Sequence, residues 1–444
     1  MNTIKLKKGF DLKLKGSVVT SQSPAETVEG KEYAIIPDDF HGTTPRLDKK
    51  EGEHVMAGES IYHDKVFESI KVTSPVSGTI KAIKRGERRK ILSIVIEKDA
   101  SADVVTHDVK QPVKDTLLAS GLWAMMRQRP YDIVPTPDVE PRDIFVTAFD
   151  SAPLATSMVE AAKPVLQYAP KGVEVLKSLT RGNVHISFKP GEEQEIAGAE
   201  CHVIAGPHPA GNAGVQAANI APVNKGDVVW TLDVLTLCRI GELFTTGKVN
   251  YTTHVAIAGE CVESPAVIKT TMGCNLNDVL KGKLANGPAN SRIINGNVLT
   301  GVKTDMQGYL QYPYRQITVI PEVGKKDEFM GWASLNPKRY SIYRTFTTWL
   351  AGKRGKECSM DARIKGGERA IVCLDEYDNM LPMDIYAEFL IKAIIAFDID
   401  KMEKLGIYEV APEDFALAEF ADTSKIELQR IVRNGLDRMR AEMS

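Results

Sequence analysis

Apolar residues between positions 102 and 250 occur in short continuous runs, a pattern typical of strands that are buried on both faces. Two such runs occur, at residues 144–149 and 228–230, and similar strands are predicted at 184–187 and 201–205. After the last run, leucine and isoleucine recur every two or three residues from Leu232 to Leu243 on one helical face, which predicts a helix that ends at Gly247. Strands that alternate with helices predict a parallel α/β sheet of Rossmann-like architecture.

The first hundred residues have a different pattern, in which turn residues divide short apolar strands. The turns are predicted at Gly52, Gly58, Pro75 and Gly78. This pattern resembles the flattened barrel-sandwich of lipoyl and biotinyl carrier domains. Phe67 stands where those carriers have their modified lysine. We therefore expect the carrier fold without the carrier chemistry.

The pattern returns to short strands after residue 250 and becomes helical after Pro382. The whole sequence thus predicts a multidomain α/β and β protein. Its predicted units are a lipoyl/biotinyl-like region at 1–101, a Rossmann-like α/β domain at 102–250, a β-grasp domain of the soluble-ligand-binding (SLBB-like) type at 251–328, and a C-terminal helical domain at 329–444.

Two sequence features of the C-terminal unit predict its structure or its function. Residues 329–349 are rich in aromatic side chains with interspersed arginine and lysine, which fits either a buried strand or a docking surface. Further along, helical spacing predicts one buried apolar stripe. The stripe comprises Ile385, Phe389, Ile391, Ile394 and Ile395.

Composition narrows the class of protein. A hydrophobic fraction of 43% and a charged fraction of 26% are those of a folded globular chain. A net charge of -2 gives no basis for binding nucleic acid. The longest apolar helical stretch is far shorter than the roughly 20 residues that span a bilayer. The amino terminus lacks the apolar core of a secretory signal, so we expect the chain in the cytoplasm.

The six cysteines are widely separated and form no C-x-x-C pair. They lie at positions 201, 238, 261, 274, 358 and 373. Since disulfide frameworks, zinc sites and iron–sulfur clusters use closely spaced cysteines, we expect none of these here. Cys201 and His202, with His208, fit a strand and a loop better than a metal site.

The loop at residues 206–214 follows a predicted strand and contains three glycines, so it invites a nucleotide-binding interpretation. A dinucleotide loop needs glycine at its third position, where this chain has His208. Pro207 and Pro209 also have no N–H to offer a phosphate. The sequence favours a stiff structural or partner-binding loop over a phosphate cradle.

The order of the units resembles the A subunit of the Na⁺-translocating NADH:quinone oxidoreductase family, over essentially the whole chain. More distantly, the layout resembles the C subunit of Rnf complexes and the flavin-binding subunit of respiratory complex I. The most specific motifs are Gly-Leu-Trp at 121–123, Arg-Pro-Tyr-Asp at 129–132, Phe-Asp-Ser-Ala-Pro-Leu at 149–154, Gly-Pro-His-Pro-Ala-Gly at 206–211 and Arg-Ile-Ile-Asn-Gly-Asn at 292–297.

The two distant relatives bind flavin on a glycine-rich loop, where backbone amides hold the phosphate. The matching residues here, 121–131, contain one glycine and several bulky side chains. The matching cluster motif is also missing, because residues 418–423 contain no cysteine. The resemblance therefore implies that this chain binds neither flavin nor iron–sulfur cluster nor other metal. NADH, flavins and clusters are expected in partner subunits.

The resemblance implies a peripheral subunit on the cytoplasmic face of the cell membrane, in a six-subunit assembly with integral membrane and flavin or iron–sulfur subunits. That assembly oxidises NADH, reduces a quinone such as ubiquinone, and exports Na⁺. This chain would help form the quinone site without being catalytic alone. A quinone needs an apolar slot with a few hydrogen-bond donors. The candidate lining residues are Phe40, His41, Trp123, Arg129 and Tyr131.

Three other functions are compatible with parts of the sequence. A swinging-arm carrier is disfavoured by Phe67, and a free-standing NAD-dependent oxidoreductase is disfavoured by the prolines of the 206–214 loop. A non-enzymatic ligand-binding or scaffold protein, built on the framework of the Rnf and complex I subunits, is the main alternative.

Overall fold

The computed structural model describes residues 1–18, 26–285, 287–323, 357–364, 367–372 and 375–443. The aromatic-rich segment 329–349 and Cys373 lie outside the described residues. The strands are β1 (Asn2–Lys5), β2 (Glu26–Thr27), β3 (Glu32–Ile35), β4 (Pro45–Leu47), β5 (His54–Val55), β6 (Ser60–Asp64), β7 (Lys71–Thr73), β8 (Gly78–Arg85), β9 (Ile91–Lys98), β10 (Arg127–Arg129), β11 (Asp143–Thr147), β12 (Val184–Phe188), β13 (Glu200–Ala205), β14 (Val229–Asp233), β15 (Thr252–Ala258), β16 (Ala266–Thr271), β17 (Ser291–Asn295), β18 (Val302–Thr304) and β19 (Gln316–Pro321).

Helices connect the strands of the middle region and dominate the C-terminal region. They are α1 (Val113–Ser120), α2 (Met158–Ala162), α3 (Ala169–Lys177), α4 (Ala213–Ile220), α5 (Val234–Thr246), α6 (Leu276–Leu280), α7 (Glu376–Met380), α8 (Ala387–Ala396), α9 (Ile399–Lys404), α10 (Ala416–Ala421) and α11 (Leu428–Met443). Within the described ranges, none of them combines the length and the apolar character that crossing a membrane requires.

The four predicted strands of the middle region form β11 to β14. Their sheet has the order β1-β13-β12-β11-β14-β10, and all neighbours are parallel except β10, which is antiparallel to β14. Ile144 and Val146 face the core that contains α2, α3 and α5, whereas Phe145 faces Ala217 of α4. Helices therefore cover both faces of this sheet, as expected for a buried parallel sheet.

The N-terminal region forms two small sheets, with the orders β3-β9-β8-β5 and β4-β6-β7. Gly52 and Gly58 have φ of 85° and 86°, so these two predicted turns use conformations that favour glycine. Phe67 lies between β6 and β7, where its amide donates a hydrogen bond to Asp64 Oδ2 at 2.8 Å. Strands β1 and β2 of this region belong to other sheets. Strand β1 pairs with β13 of the α/β sheet, and β2 pairs with β16 of the sheet formed after residue 250.

The region after residue 250 forms a third unit, a sheet with the order β18-β17-β19-β15-β16-β2. The C-terminal helices pack around a separate apolar core, to which Leu12 and Leu14 of the N-terminal segment also belong.

The predicted apolar stripe of α8 is wrong at two positions. Ile391 and Ile394 are buried, but Phe389 and Ile395 are 58% and 56% exposed. Phe389 lies about 200° around the helix from Ile391, because each residue advances about 100°. Ile395 lies in the last turn of the helix, next to its end at Ala396.

Candidate functional site

A groove opens where the N-terminal β-sandwich, the α/β unit and the third unit meet. Three short elements form the walls of the groove. The end of β3 and the residues after it form one wall, β7 forms a second, and the end of α1 forms a third. The residues that matter most for its chemistry are Asp39, Phe40, Thr73, Met125, Tyr251 and Tyr312.

Two aromatic rings make one wall of the groove. Phe40 and Tyr312 stack with ring centroids 5.7 Å apart and an interplanar angle of 3°. The Tyr312 hydroxyl donates to the carbonyl oxygen of Met125 at 2.5 Å, which fixes the ring against the α/β unit. Burial raises the pKa of Tyr312 to about 12, so this hydroxyl stays neutral at physiological pH. A flat ring can therefore pack on a rigid aromatic surface here.

One carboxyl group faces the groove. Asp39 accepts hydrogen bonds from the Tyr312 amide at 3.0 Å and from Gln311 Nε2 at 3.3 Å, and its carbonyl oxygen accepts from Arg127 Nη2 at 2.5 Å. Desolvation raises the pKa of the Asp39 carboxyl well above its ordinary range, although the Tyr312 amide and Arg127 oppose this shift. A carboxyl group with a raised pKa keeps its proton more readily and can donate it to an acceptor in the groove.

A hydroxyl pair lies opposite, at the junction with α1. Thr73 Oγ1 donates to the Ser120 carbonyl at 3.1 Å and is 2.6 Å from the Tyr251 hydroxyl, which must therefore donate to it. Gly121 caps α1 with φ of 78°, and a Cβ there would lie 2.4 Å from Thr73 Oγ1. Glycine at position 121 thus permits the close approach of α1 to β7.

A second, smaller depression adjoins the groove and shares Met272, Leu310 and Tyr312 with it. Its lining is charged, because Arg315 Nη2 lies 3.1 Å from Asp233 Oδ2 and Arg239 lies beside them. Burial opposes ionisation of Asp233, but the two arginines outweigh burial and lower its pKa. The site therefore combines an apolar slot with a polar end.

Of the five residues predicted to line a quinone slot, the structure places Phe40 in this groove. His41 points away from it and meets Asp437 of α11, with 2.9 Å between Nε2 and Oδ1. Trp123 is buried in the core, where its indole N–H donates to the Pro135 carbonyl at 2.7 Å and its ring packs edge-on against Trp230.

Arg129 and Tyr131 lie at the boundary with the C-terminal helices. The Arg129 side chain is 1% exposed, and its Nη1 lies 2.9 Å from Asp414 Oδ2. Tyr131 packs against the C-terminal core, and its carbonyl oxygen accepts from Arg433. Arg129 and Tyr131 therefore do not share one slot with Phe40, because the Arg129 guanidinium and the Tyr131 ring lie against the C-terminal helices.

The sequence reasoning missed Asp39, Thr73 and Tyr312. Asp39 directly precedes Phe40, and Tyr312 begins a Tyr-Pro-Tyr segment at 312–314, which is an aromatic and proline-rich signal of the kind that marks binding loops. Neither signal indicates that the two residues meet, because they are 273 positions apart.

The 206–214 loop forms a junction with the C-terminal unit. The Gly211 amide donates to Ser151 Oγ at 2.8 Å, and Asn212 Nδ2 donates to the Glu413 carbonyl at 3.1 Å. A Cβ at Gly214 would lie 2.6 Å from the Arg129 guanidinium. These polar groups are engaged within the chain, in agreement with a structural loop.

Three family models match the chain. They are described as the NqrA N-terminal barrel-sandwich hybrid domain, the NqrA second alpha/beta domain and the NQRA C-terminal domain, an SLBB model, and they match residues 4–99, 109–249 and 254–305. These matches confirm the predicted barrel-sandwich, α/β and SLBB-like units.

Curated relatives match along the full length. Proteins named as the A subunit of Na(+)-translocating NADH-quinone reductase are 33% identical in Neisseria meningitidis serogroup C, and 34% identical in Saccharophagus degradans and Photorhabdus laumondii. Each match covers 99% of this chain and 100% of the relative. Among solved structures, an NAD⁺-reducing NiFe hydrogenase is 12% identical with a TM-score of 0.34 over 48% of each chain, a likeness too low to support an argument.

Proposed function

Because the chain belongs to the family of A subunits of the Na⁺-translocating NADH:quinone reductase, and is thus one component of a translocase complex, we propose that its groove binds the quinone. The observation that carries this proposal is the stacked pair Phe40 and Tyr312 beside the Asp39 carboxyl group. An apolar slot with a few polar groups is the usual form of a site for a flat ligand of this kind.

In this proposal the quinone ring packs on the Phe40 and Tyr312 surface, with one carbonyl oxygen towards Asp39. Reduction of a quinone to quinol adds two electrons and two protons. The electrons come from partner subunits that hold the flavins and iron–sulfur centres. Asp39 can give one proton to the carbonyl oxygen that becomes more basic as electrons arrive, and solvent supplies the second proton and the proton that restores Asp39.

The protein lies peripherally on the cytoplasmic face and contacts integral membrane subunits, through which Na⁺ must pass. The α/β unit is a Rossmann-like domain that no longer binds a nucleotide, as its strand order β13-β12-β11-β14 and its engaged 206–214 loop suggest. The helices after residue 375 form a C-terminal helical domain.

Phe40 and His41 form a matched pair that tests the position of the site. We expect Phe40→Leu to raise the KM for quinone about five- to tenfold, because stacking on an aromatic ring contributes about 1 kcal/mol. His41→Gln should leave this KM unchanged, since His41 contacts α11 instead of the groove. The measurement is quinone reductase activity of the purified complex at varied quinone concentration. Equal effects of both substitutions would contradict the proposed site.

Asp39→Asn tests whether the pKa of the Asp39 carboxyl group is raised, through the pH dependence of the free energy of unfolding. Because the folded-state pKa of Asp39 lies above its unfolded value of about 3.9, the folded state binds the proton more tightly. As the pH rises from about 4 to the folded-state pKa, the wild-type chain should therefore become less stable relative to the variant. The measurement is the melting temperature of both full-length chains from pH 4 to pH 8. A difference that is constant across this range would contradict the raised pKa.

A further inference from the structure

Two histidines and a glutamate converge on one face of the α/β sheet. His185 Nδ1 lies 3.1 Å from His202 Nε2 and 3.3 Å from Glu200 Oε2. One ligand atom from each of the three residues can be chosen so that all lie within 4.8 Å of one another. The histidines are 6% and 9% exposed, whereas 52% of the Glu200 side chain is exposed.

The strand register produces this cluster. His185 lies on β12 directly opposite Glu200 on β13, and His202 follows Glu200 by two positions, so it projects from the same side of the strand. The Phe145 ring stacks on His185 at 5.0 Å and limits its rotation from the side of β11. The three ligand groups are therefore held by adjacent parallel strands and not by a loop.

The spacing of the donor atoms fits a metal ion. Four ligands in a tetrahedron at about 2.0–2.1 Å from Zn²⁺ are about 3.3 Å from each other. The two short separations here are 3.1 and 3.3 Å. We propose that His185 Nδ1, His202 Nε2 and the Glu200 carboxylate bind a divalent transition-metal ion of the Zn²⁺ class, with water at the fourth position.

The surroundings support this assignment. Asp143 Oδ1 lies 3.8 Å from His185 Nε2, the nitrogen that does not face the ion, so a carboxylate lies behind this histidine. The nearby positive charge of Arg142 is balanced by Asp143 at 2.8 Å and Asp227 at 2.6 Å.

The position of the site indicates a structural role and not a catalytic one. Ligand crevices of open α/β sheets lie at the carboxyl ends of the strands, whereas His185 and Glu200 lie at the beginnings of β12 and β13. The bound ion would tie these two strands together at the opposite end of the sheet. The exposed Glu200 side chain provides the route by which the ion enters.

Zn²⁺ titration of the full-length chain, after removal of metals with a chelator, tests the site. A chromophoric chelator reports the affinity by competition, and the variants are His202→Gln and Glu200→Gln. The control is Glu193→Gln, a substitution of another exposed glutamate that precedes β13. Melting temperatures without metal show whether each variant folds.

We expect the wild-type chain to bind one Zn²⁺ that His202→Gln weakens by at least about a hundredfold and Glu200→Gln by at least about tenfold. Glu193→Gln should bind as the wild type does. With Co²⁺ as the probe, the wild type should show the intense visible absorption of a tetrahedral site, and Glu200→Gln should lose it. Affinities that are equal in the wild type and Glu200→Gln, or no binding by the wild type at micromolar Zn²⁺, would overturn the proposal. None of these outcomes depends on quinone binding.

Discussion

Arg129→Met is expected to lower the free energy of unfolding of the full-length chain by about 3–5 kcal/mol. The Arg129 guanidinium is almost fully buried, donates to the Glu409 carbonyl at 2.7 Å and pairs with Asp414, whose side chain is 0% exposed. Methionine fills a similar volume but leaves the Asp414 carboxylate buried without its cation. Most of the loss therefore comes from the unpaired acid and not from a lost contact.

Two further variants show whether the loss of stability comes from breaking the buried ion pair or from removing any arginine. Arg181→Met breaks the ion pair with Glu140, in which the side chains are 85% and 43% exposed, and should cost less than about 1 kcal/mol. Adding Asp414→Leu to Arg129→Met should recover much of the loss, because neither charge then remains buried. Urea unfolding of the four chains supplies the comparison. A loss for Arg129→Met no larger than that for Arg181→Met would contradict the structural role.

Tyr312→Leu is expected to raise the KM of the purified complex for quinone by about tenfold or more. The substitution removes a ring on which the quinone packs and the hydroxyl that fixes this ring to Met125, and the lost packing is expected to cost about 1.4 kcal/mol of binding. Tyr312→Phe keeps the ring and loses only the anchor, so its effect should be smaller. The measurement is quinone reductase activity at saturating NADH.

Tyr131→Phe is the matched control for Tyr312→Phe. The sequence predicts that Tyr131 lines the slot, but it packs against the C-terminal core. Removing its hydroxyl should leave the KM for quinone unchanged. If Tyr131→Phe raised this KM and Tyr312→Leu did not, the site would lie at the C-terminal boundary and not in the groove.

Local signals explain which elements can be predicted from the sequence. Helix α5 is predictable because its apolar residues recur at helical spacing and Gly247 ends it in a left-handed conformation with φ of 75°. Asp233, whose side chain accepts from the Thr236 amide at 2.7 Å, adds an N-cap. The strands β11 to β14 are predictable because strands that are buried on both faces are mostly apolar, although β12 and β13 also contain buried histidines.

The groove cannot be predicted in the same way, because its parts come from three units. Asp39, Thr73 and Tyr312 carry no local pattern that indicates their proximity, and only the packing of the units brings them together. The sequence makes Arg129 a candidate binding residue because it lies in a motif. An arginine in a motif can, however, be buried and stabilise the packing of the protein instead of binding a ligand. The cluster of His185, Glu200 and His202 escapes prediction for a related reason, since its spacing is set by pairing of β12 with β13.

The most direct test of the central claim, that the groove binds quinone, is photolabelling of the complex with a photoreactive quinone analogue, followed by mapping of the labelled peptides. The account predicts labels on residues 34–40, 72–75 and 310–312 of this chain, and their loss when excess unlabelled quinone competes. Competed labelling that falls only near Arg129 and Tyr131, or only on other subunits, would contradict the account.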